Sequence, residues 1–172
     1  MRARRRGDHA AFPLARIVSG GQTGVDRGAL DAALEARFPC GGWAPAGRIA
    51  EDGPIAARYP LVELPGGGYE ERTLKNVLDS DGTAILYFEA LEGGTRQTMV
   101  NCVEHAKPHE LIDATRATPG EAAEKLAAFV KRNRIGVLNV AGPRASKQHQ
   151  AHAHAYATVK EMLKRSGKRG GG

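Results

Sequence analysis

The chain has 172 residues, the length of one domain rather than two, and enough to bury a sizeable core. With 41% hydrophobic and 26% charged residues, and no apolar run near the ~20 residues of a membrane span, it reads as globular and not as a membrane protein. The net charge of +6 invites a nucleic-acid reading, which the positions of the charges weaken.

Eight of the 25 Lys and Arg residues are Arg2, Arg4, Arg5, Arg6, Lys164, Arg165, Lys168 and Arg169. Residues 7–163 then hold 17 basic against 19 acidic residues, a net of −2. The basicity sits in two flanks, so nucleic acid is not an expected partner of the body. Cys40 and Cys102 are too few for a disulfide framework and predict reduced thiols. The Arg-rich start is not followed by the apolar run of a secretory signal, so a cytoplasmic location is expected.

Residues 1–13 read as a disordered basic arm and 166–172 as a disordered Gly-rich tail, leaving a single domain over 14–165. Between the flanks, short apolar runs alternate with helical patterns. That alternation predicts βαβ units and an α/β fold with a mainly parallel sheet. In chain order, a strand is expected at 16–19, then the turn Gly20-Gly21-Gln22-Thr23-Gly24 and a helix to about 37. Thr23 and Asp26 have the spacing of a capping box at that helix start. A short strand is expected near 42–44. Residues 45–60 carry Pro45, Gly47, Gly53, Pro54 and Pro60 and show no period, which predicts a lid, a binding loop or disorder. A strand at 61–64, a helix at 70–78 and a central strand at 83–88 follow. Gly93-Gly94-Thr95 opens a helix to about 106, and 110–113 is a weaker strand. Thr118, Pro119 and Glu121 give an N-cap, a first-turn proline and a capping partner for a helix to about 133. The last strand is expected at 135–140, and the last helix at 148–163.

Three strands thus end in glycine-rich turns, each followed by a helix. In an open α/β sheet ligands bind outside the carboxyl ends of the strands. Glycine lets backbone approach a ligand, and free helix N–H groups attract negative charge, so phosphate is the expected guest. The candidate binding residues are Gly20, Gly21, Gln22, Thr23 and Gly24 in the first turn, with Gly93, Gly94 and Thr95 in the second. Gly142, Pro143, Arg144 and Ser146 form the third. Arg96 and Arg144 could supply bidentate anion contacts, and Asp26 could cap its helix, accept a hydrogen bond from a ligand, or both. The turns match neither the dinucleotide fingerprint nor the P-loop.

Glu51 and Asp52 read as solvated loop charges. Trp43 reads as a core residue before a stacking platform, and Asp79-Ser80-Asp81-Gly82 as a helix-to-strand turn. His149, His152 and His154 match no zinc spacing, so no structural metal is expected. No nucleophile elbow, zincin motif or catalytic triad is recognisable, which suits holding an anion better than transforming it.

Six stretches carry a resemblance to a known family: residues 17–27, 41–48, 50–55, 79–83, 93–95 and 138–144. The chain resembles the molybdenum-cofactor carrier family, a circularly permuted branch of the Rossmann-like superfamily that includes the lysine decarboxylase-like LOG proteins. The resemblance implies a Rossmann-like three-layer sandwich and a homo-oligomer, tetrameric or dimeric. It implies binding of molybdopterin, whose terminal phosphate the glycine turns would hold, or of molybdate, with molybdoenzymes as recipients. It also brings Arg48 into the candidate site. After Arg144 the chain departs from the family's pattern. Ala145 stands where an acidic residue usually precedes the serine, and Lys147-Gln148-His149-Gln150 replaces a Pro-Gly-aromatic helix start. Two other readings stay open. One is a nucleotide-binding sensor. The other is a LOG-like phosphoribohydrolase, whose glutamate has no counterpart in Gly93-Gly94-Thr95-Arg96-Gln97-Thr98.

Overall fold

A parallel sheet of five strands organises the chain in the computed structural model, which describes residues 11–167. The elements run β1 (Arg16–Val18), α1 (Val25–Glu35), β2 (Cys40–Gly41), β3 (Trp43–Ala44), β4 (Ile49–Ala50), β5 (Gly53–Pro54) and β6 (Val62–Glu63). They continue with α2 (Tyr69–Leu78), β7 (Gly82–Tyr87), α3 (Gly93–Glu104), β8 (His109–Asp113), α4 (Pro119–Asn133), β9 (Val137–Ala141) and α5 (Ala151–Gly167). The central sheet has the order β2-β1-β9-β7-β8. Its register sets Ile17 beside Leu138, Thr83 beside Asn139 and Ile85 beside Leu111. β3 pairs with β6, and β4 with β5, in two small satellite sheets.

The central strands are apolar because both faces are covered. Ala84, Ile85 and Leu86 of β7 and Leu138 and Val140 of β9 are fully buried. On one face α1, α4 and α5 pack with the sheet into the main core, through Ala29, Leu126, Phe129, Val159 and Met162. Helices α2 and α3 pack against each other, and α3 lies on β7. The result is the expected Rossmann-like α/β sandwich. A second cluster of Leu30, Ala44, Ile55, Tyr59 and Leu61 fastens the 45–64 segment to α1.

Helix α4 carries the expected cap, and helix α1 does not. At α4 the Thr118 hydroxyl accepts the Glu121 N–H at 3.2 Å, and Pro119 occupies the first turn. At α1 the N-cap is Gly24, at φ +83°, and no side chain caps it. Thr23 is diverted: its hydroxyl accepts the Ala145 N–H at 3.0 Å and donates to Glu51. The Asp26 carboxylate accepts the N–H of Gln22 instead of forming a box with Thr23. Residues 45–60 are ordered around a 3₁₀ turn and the β4–β5 hairpin. β2 was not foreseen, being two residues long. Helix α5 begins at Ala151 and includes Ser166 and Gly167. The expected loose ends at 1–10 and 168–172 lie outside the described residues. Phe12 packs against the core and shares a ≈ 330 Å³ groove with Met162, Arg165 and Ser166. Among the described residues no helix is long and apolar enough to cross a membrane.

Helices α1 and α5 meet at Gly28. A Cβ there would stand 2.5 Å from the His152 carbonyl oxygen and 3.1 Å from the Ala155 Cβ. Gly28→Ala gains about 1 kcal/mol of helix propensity but must push two packed helices apart. The expected net loss is about 1–2 kcal/mol, read as a lower urea midpoint at unchanged m-value.

Candidate functional site

The carboxyl ends of β1, β7 and β9 open onto one cleft of ≈ 710 Å³. Its walls come from the turn after β1 (Gly20, Gln22, Asp26), the start of α3 (Gly93, Gly94, Thr95) and the turn after β9 (Gly142, Pro143, Arg144). Nine of the fifteen residues expected from sequence therefore meet in one place. α3 begins on Gly93 itself, so the first-turn N–H groups of a 12-residue helix border the cleft.

The other six do not line it. Gly21 faces Leu61 and Ile55. Gly24 sits under the Pro143 carbonyl, which accepts the Val25 N–H at 3.2 Å. The amino end of α1 is therefore occupied by the protein's own backbone, and the anion reading of the first turn is narrower than its glycines imply. Arg96 is exposed outside the cleft. Arg48 folds back onto its own loop and donates to the carbonyls of Ile55, Ala56, Tyr59 and Leu61. Those bonds occupy its donors and hold the loop in shape.

Thr23 and Ser146 belong to a latch built on Glu51. The Glu51 carboxylate accepts from the hydroxyls of Thr23 and Ser146 and from the Ser146 N–H at 3.0 Å, and pairs with Arg144 at 3.4 Å. Gln22 Oε1 accepts the Glu51 N–H at 2.9 Å, and Asp52 forks onto Arg27. The charges read as solvated thus tie the β4–β5 hairpin to two turns. Burial alone would raise the Glu51 pKa, but the hydrogen bonds from Ser146 and Thr23 outweigh it and hold the carboxyl below its usual range.

The residues that sequence reasoning missed come from α2. Tyr69, Arg72, Thr73 and Asn76 present one face to the cleft. Arg72 is 6% exposed and lies across the first turn. A Cβ at Gly20 would stand 1.9 Å from the Arg72 guanidinium, so only glycine leaves room for it. Arg72 faces Asp26, 8% exposed, at 3.4 Å. Burial pushes the Asp26 carboxyl up to about 6, against the lowering pull of Arg72 and the Gln22 N–H. Burial also lowers the Arg72 pKa, which Asp26 partly restores. The only available signal was the Tyr69-Arg72-Asn76 spacing, which also fits a solvated helix face.

Trp43 is half-buried beside α2, donating to Asp79 at 2.8 Å, and is not among the cleft residues. Asp81 accepts the N–H groups of Gly136 and Val137, as a helix-to-strand turn should. His152 meets Asp31 at 2.7 Å, while His154 meets the Ala117 carbonyl at 2.8 Å. Among the described residues no three His, Cys, Asp or Glu gather to hold a metal. Burial raises both thiols, Cys40 and Cys102.

Two outcomes follow from these contacts. Glu51→Ala removes a charged acceptor from three donors and should weaken the fold by about 2 kcal/mol. Amide exchange should rise selectively across 45–64. Asp26 has a folded pKa of about 6 against a model-peptide value of 3.8. The folded state binds the extra proton, so this group's contribution to stability falls as pH rises from about 4 to about 6 and is flat above. The stability difference between wild type and Asp26→Asn should change by up to roughly 3 kcal/mol over that window. Paired urea titrations at the two ends of the window would show it.

Comparison with known proteins agrees with this architecture. The profile of the circularly permutated YpsA SLOG family matches residues 17–163. A crystal structure from Syntrophus aciditrophicus, named "putative molybdenum carrier protein", is 41% identical and superposes with a TM-score of 0.85. The match covers 88% of this chain and 96% of that one. No curated protein matches significantly. From the first core strand to the last helix, then, this chain belongs to the circularly permutated YpsA SLOG family.

Proposed function

We propose that the protein is a non-catalytic carrier that holds a molybdopterin-type cofactor, phosphate end inward, in the cleft between the three turns. The observation that carries this reading is Arg72, a buried guanidinium lining the same cleft as the open amino end of α3. Such a cation recognises an oxyanion through charge-assisted hydrogen bonds. The rest of the lining suits the remainder of that ligand. Tyr69, Tyr87 and Phe88 offer faces for a heterocycle, and the carboxylates of Glu70 and Glu92 offer acceptors for its N–H groups. The volume falls within the ~300–1,000 Å³ of small-molecule sites. The name "putative molybdenum carrier protein" of the similar structure supports a carrier role and a molybdenum-related cargo. Molybdate is the smaller cargo that would use the same floor. In this reading the carrier is a homo-oligomer, tetrameric or dimeric, that hands its cargo to molybdoenzymes.

A second reading has one observation in its favour. Asp26 is a buried carboxyl that lines the cleft, and burial pushes it up to about 6, the direction that suits a general acid or base. Asp26 could then serve hydrolysis of a nucleoside monophosphate.

The two readings separate at the bench. Wild-type protein loaded with the cofactor should retain it through gel filtration and slow its air oxidation, relative to an unrelated Rossmann protein. Arg72→Gln should weaken retention about 10–100-fold, the loss of a charged hydrogen-bonding partner. Equal retention by the unrelated protein would defeat the carrier reading. Release of free adenine from AMP, abolished by Asp26→Asn, would establish the enzyme instead.

A further inference from the structure

Asp26 and Arg72 are an unusual pair for a buried site, because neither is satisfied by the other. Their side chains are 11% and 8% exposed, and their one contact is 3.4 Å long. A tight guanidinium–carboxylate bond is about 2.7–2.9 Å. A guanidinium carries five N–H donors. The other side-chain hydrogen bond that Arg72 makes among the described residues is from Nε to the Tyr69 carbonyl, also at 3.4 Å. Asp26 uses Oδ2 for its contacts with Gln22 and with Arg72; the buried Ser19 hydroxyl, which donates to the Val140 carbonyl at 3.0 Å, also stands against this carboxyl and pulls its pKa down. Both residues line the cleft. Arg72 thus holds N–H donors beyond its two long contacts, and Asp26 a carboxyl without a tight cation, in one cleft.

We propose that Asp26 and Arg72 form a proton-linked receptor for an oxyanion: an anion seated against Arg72 draws a proton onto Asp26, and loss of that proton expels the anion. This rests on reading the cleft as an anion site.

The physical argument is short. An oxyanion entering beside Arg72 meets the Asp26 carboxylate within the same low-dielectric floor. Two negative charges there repel, and protonation of the weaker acid relieves the repulsion. Once protonated, the carboxyl turns from acceptor to donor. It then adds an O–H hydrogen bond to the N–H bonds of Arg72, and both point at one acceptor-rich group. Burial has already brought Asp26 up to about 6, so little further shift is needed near neutrality.

Of the titratable groups lining the cleft, which also include Tyr69 and Tyr87, Asp26 is the buried carboxyl, whereas Glu70 and Glu92 are exposed to solvent. On its own helix, Arg27 is committed to Asp52. From α2 come Arg72 and Glu70, from the approach to α3 comes Glu92, and from the segment before α5 come Arg144 and Lys147. Of these, Arg144 is paired with Glu51. No histidine lines the cleft among the described residues. The shared chemistry is a multiply charged oxyanion, either molybdate or a phosphate group. The two sources differ in their own proton affinity, because molybdate carries no proton near neutral pH and phosphate does.

The test is calorimetric titration of the full-length protein with molybdate, and separately with inorganic phosphate, in two buffers of different protonation enthalpy at about pH 7. Wild type should take up a substantial fraction of one proton per molybdate bound, and its affinity should fall up to tenfold per pH unit above the bound-state pKa. Asp26→Asn should bind molybdate with no proton uptake and with flat affinity across pH. With phosphate, the variant reports the ligand's own proton, and the wild-type excess over it is the share of Asp26. Which anion binds more tightly decides between cargo oxyanion and phosphate handle.

Molybdate binding by wild type without proton uptake overturns the linkage while leaving the anion site intact. Equal uptake by Asp26→Asn overturns it as well. If neither anion binds wild type, the reading of the cleft fails together with the linkage. Should the variant not fold, the side-chain carboxyl carbon of Asp26 in the wild type gives the same answer by NMR. Its titration midpoint should rise by about one unit when molybdate is added, and an unmoved midpoint sinks the proposal.

Discussion

The carbonyl of Pro143 bonds the first N–H of α1, and much of the molecule's functional face depends on that contact. It seats the turn after the last core strand on the turn after the first. The two strands are neighbours in the sheet although about 120 residues separate them in sequence. The same junction is reinforced by the Ser19 hydroxyl bonding the Val140 carbonyl at 3.0 Å. It is reinforced again by Thr23 accepting the Ala145 N–H. Because α1 is capped in this way by the chain itself, its positive end is not open to a ligand. The helix dipole that remains open belongs to α3. One turn thus serves as scaffold, one as anion-facing surface, and the third as the clamp between them.

This division of labour places Arg72. A guanidinium could not lie across the first turn if Gly20 carried a side chain, and it could not stay there without a negative partner near it. Asp26 supplies that partner from the first turn of α1, held in place by the Gln22 N–H. The pair is long and loose by the standard of buried ion pairs. Polar groups in that state cost stability, and such costs persist where function needs the groups poised rather than satisfied. The Glu51 latch has the opposite character. Its carboxylate is fully engaged, keeps its charge to low pH and holds the 45–64 segment against two turns.

The contrast explains what could be read from the chain alone. The buried run of β7, the Thr118-Pro119-Glu121 helix start and the three glycine turns are local patterns, and each appeared where its sequence put it. The turns converge because parallel strands share one carboxyl edge, a topological fact that needs no long-range detail. The hairpin at 49–54 escaped because its strands are two residues long, and its anchors, Thr23 and Ser146, are remote in sequence. Arg48 was placed in the site by resemblance, but its four carbonyl partners lie in a loop with no periodicity to reveal them. Arg72 escaped for a different reason. A basic residue on an amphipathic helix looks the same whether it faces water or a cleft floor.

The groove that Phe12 shares with Met162, Arg165 and Ser166 bears on the family's rearranged order of elements. The first and last described segments lie side by side against α4. The backbone path is therefore close to a ring. A ring can be opened at any surface turn, and every strand keeps its neighbours. In such a molecule the order of elements along the gene is a matter of where the ring happens to be cut. The cleft, assembled from three separate βα junctions, survives any cut that does not fall within one of them.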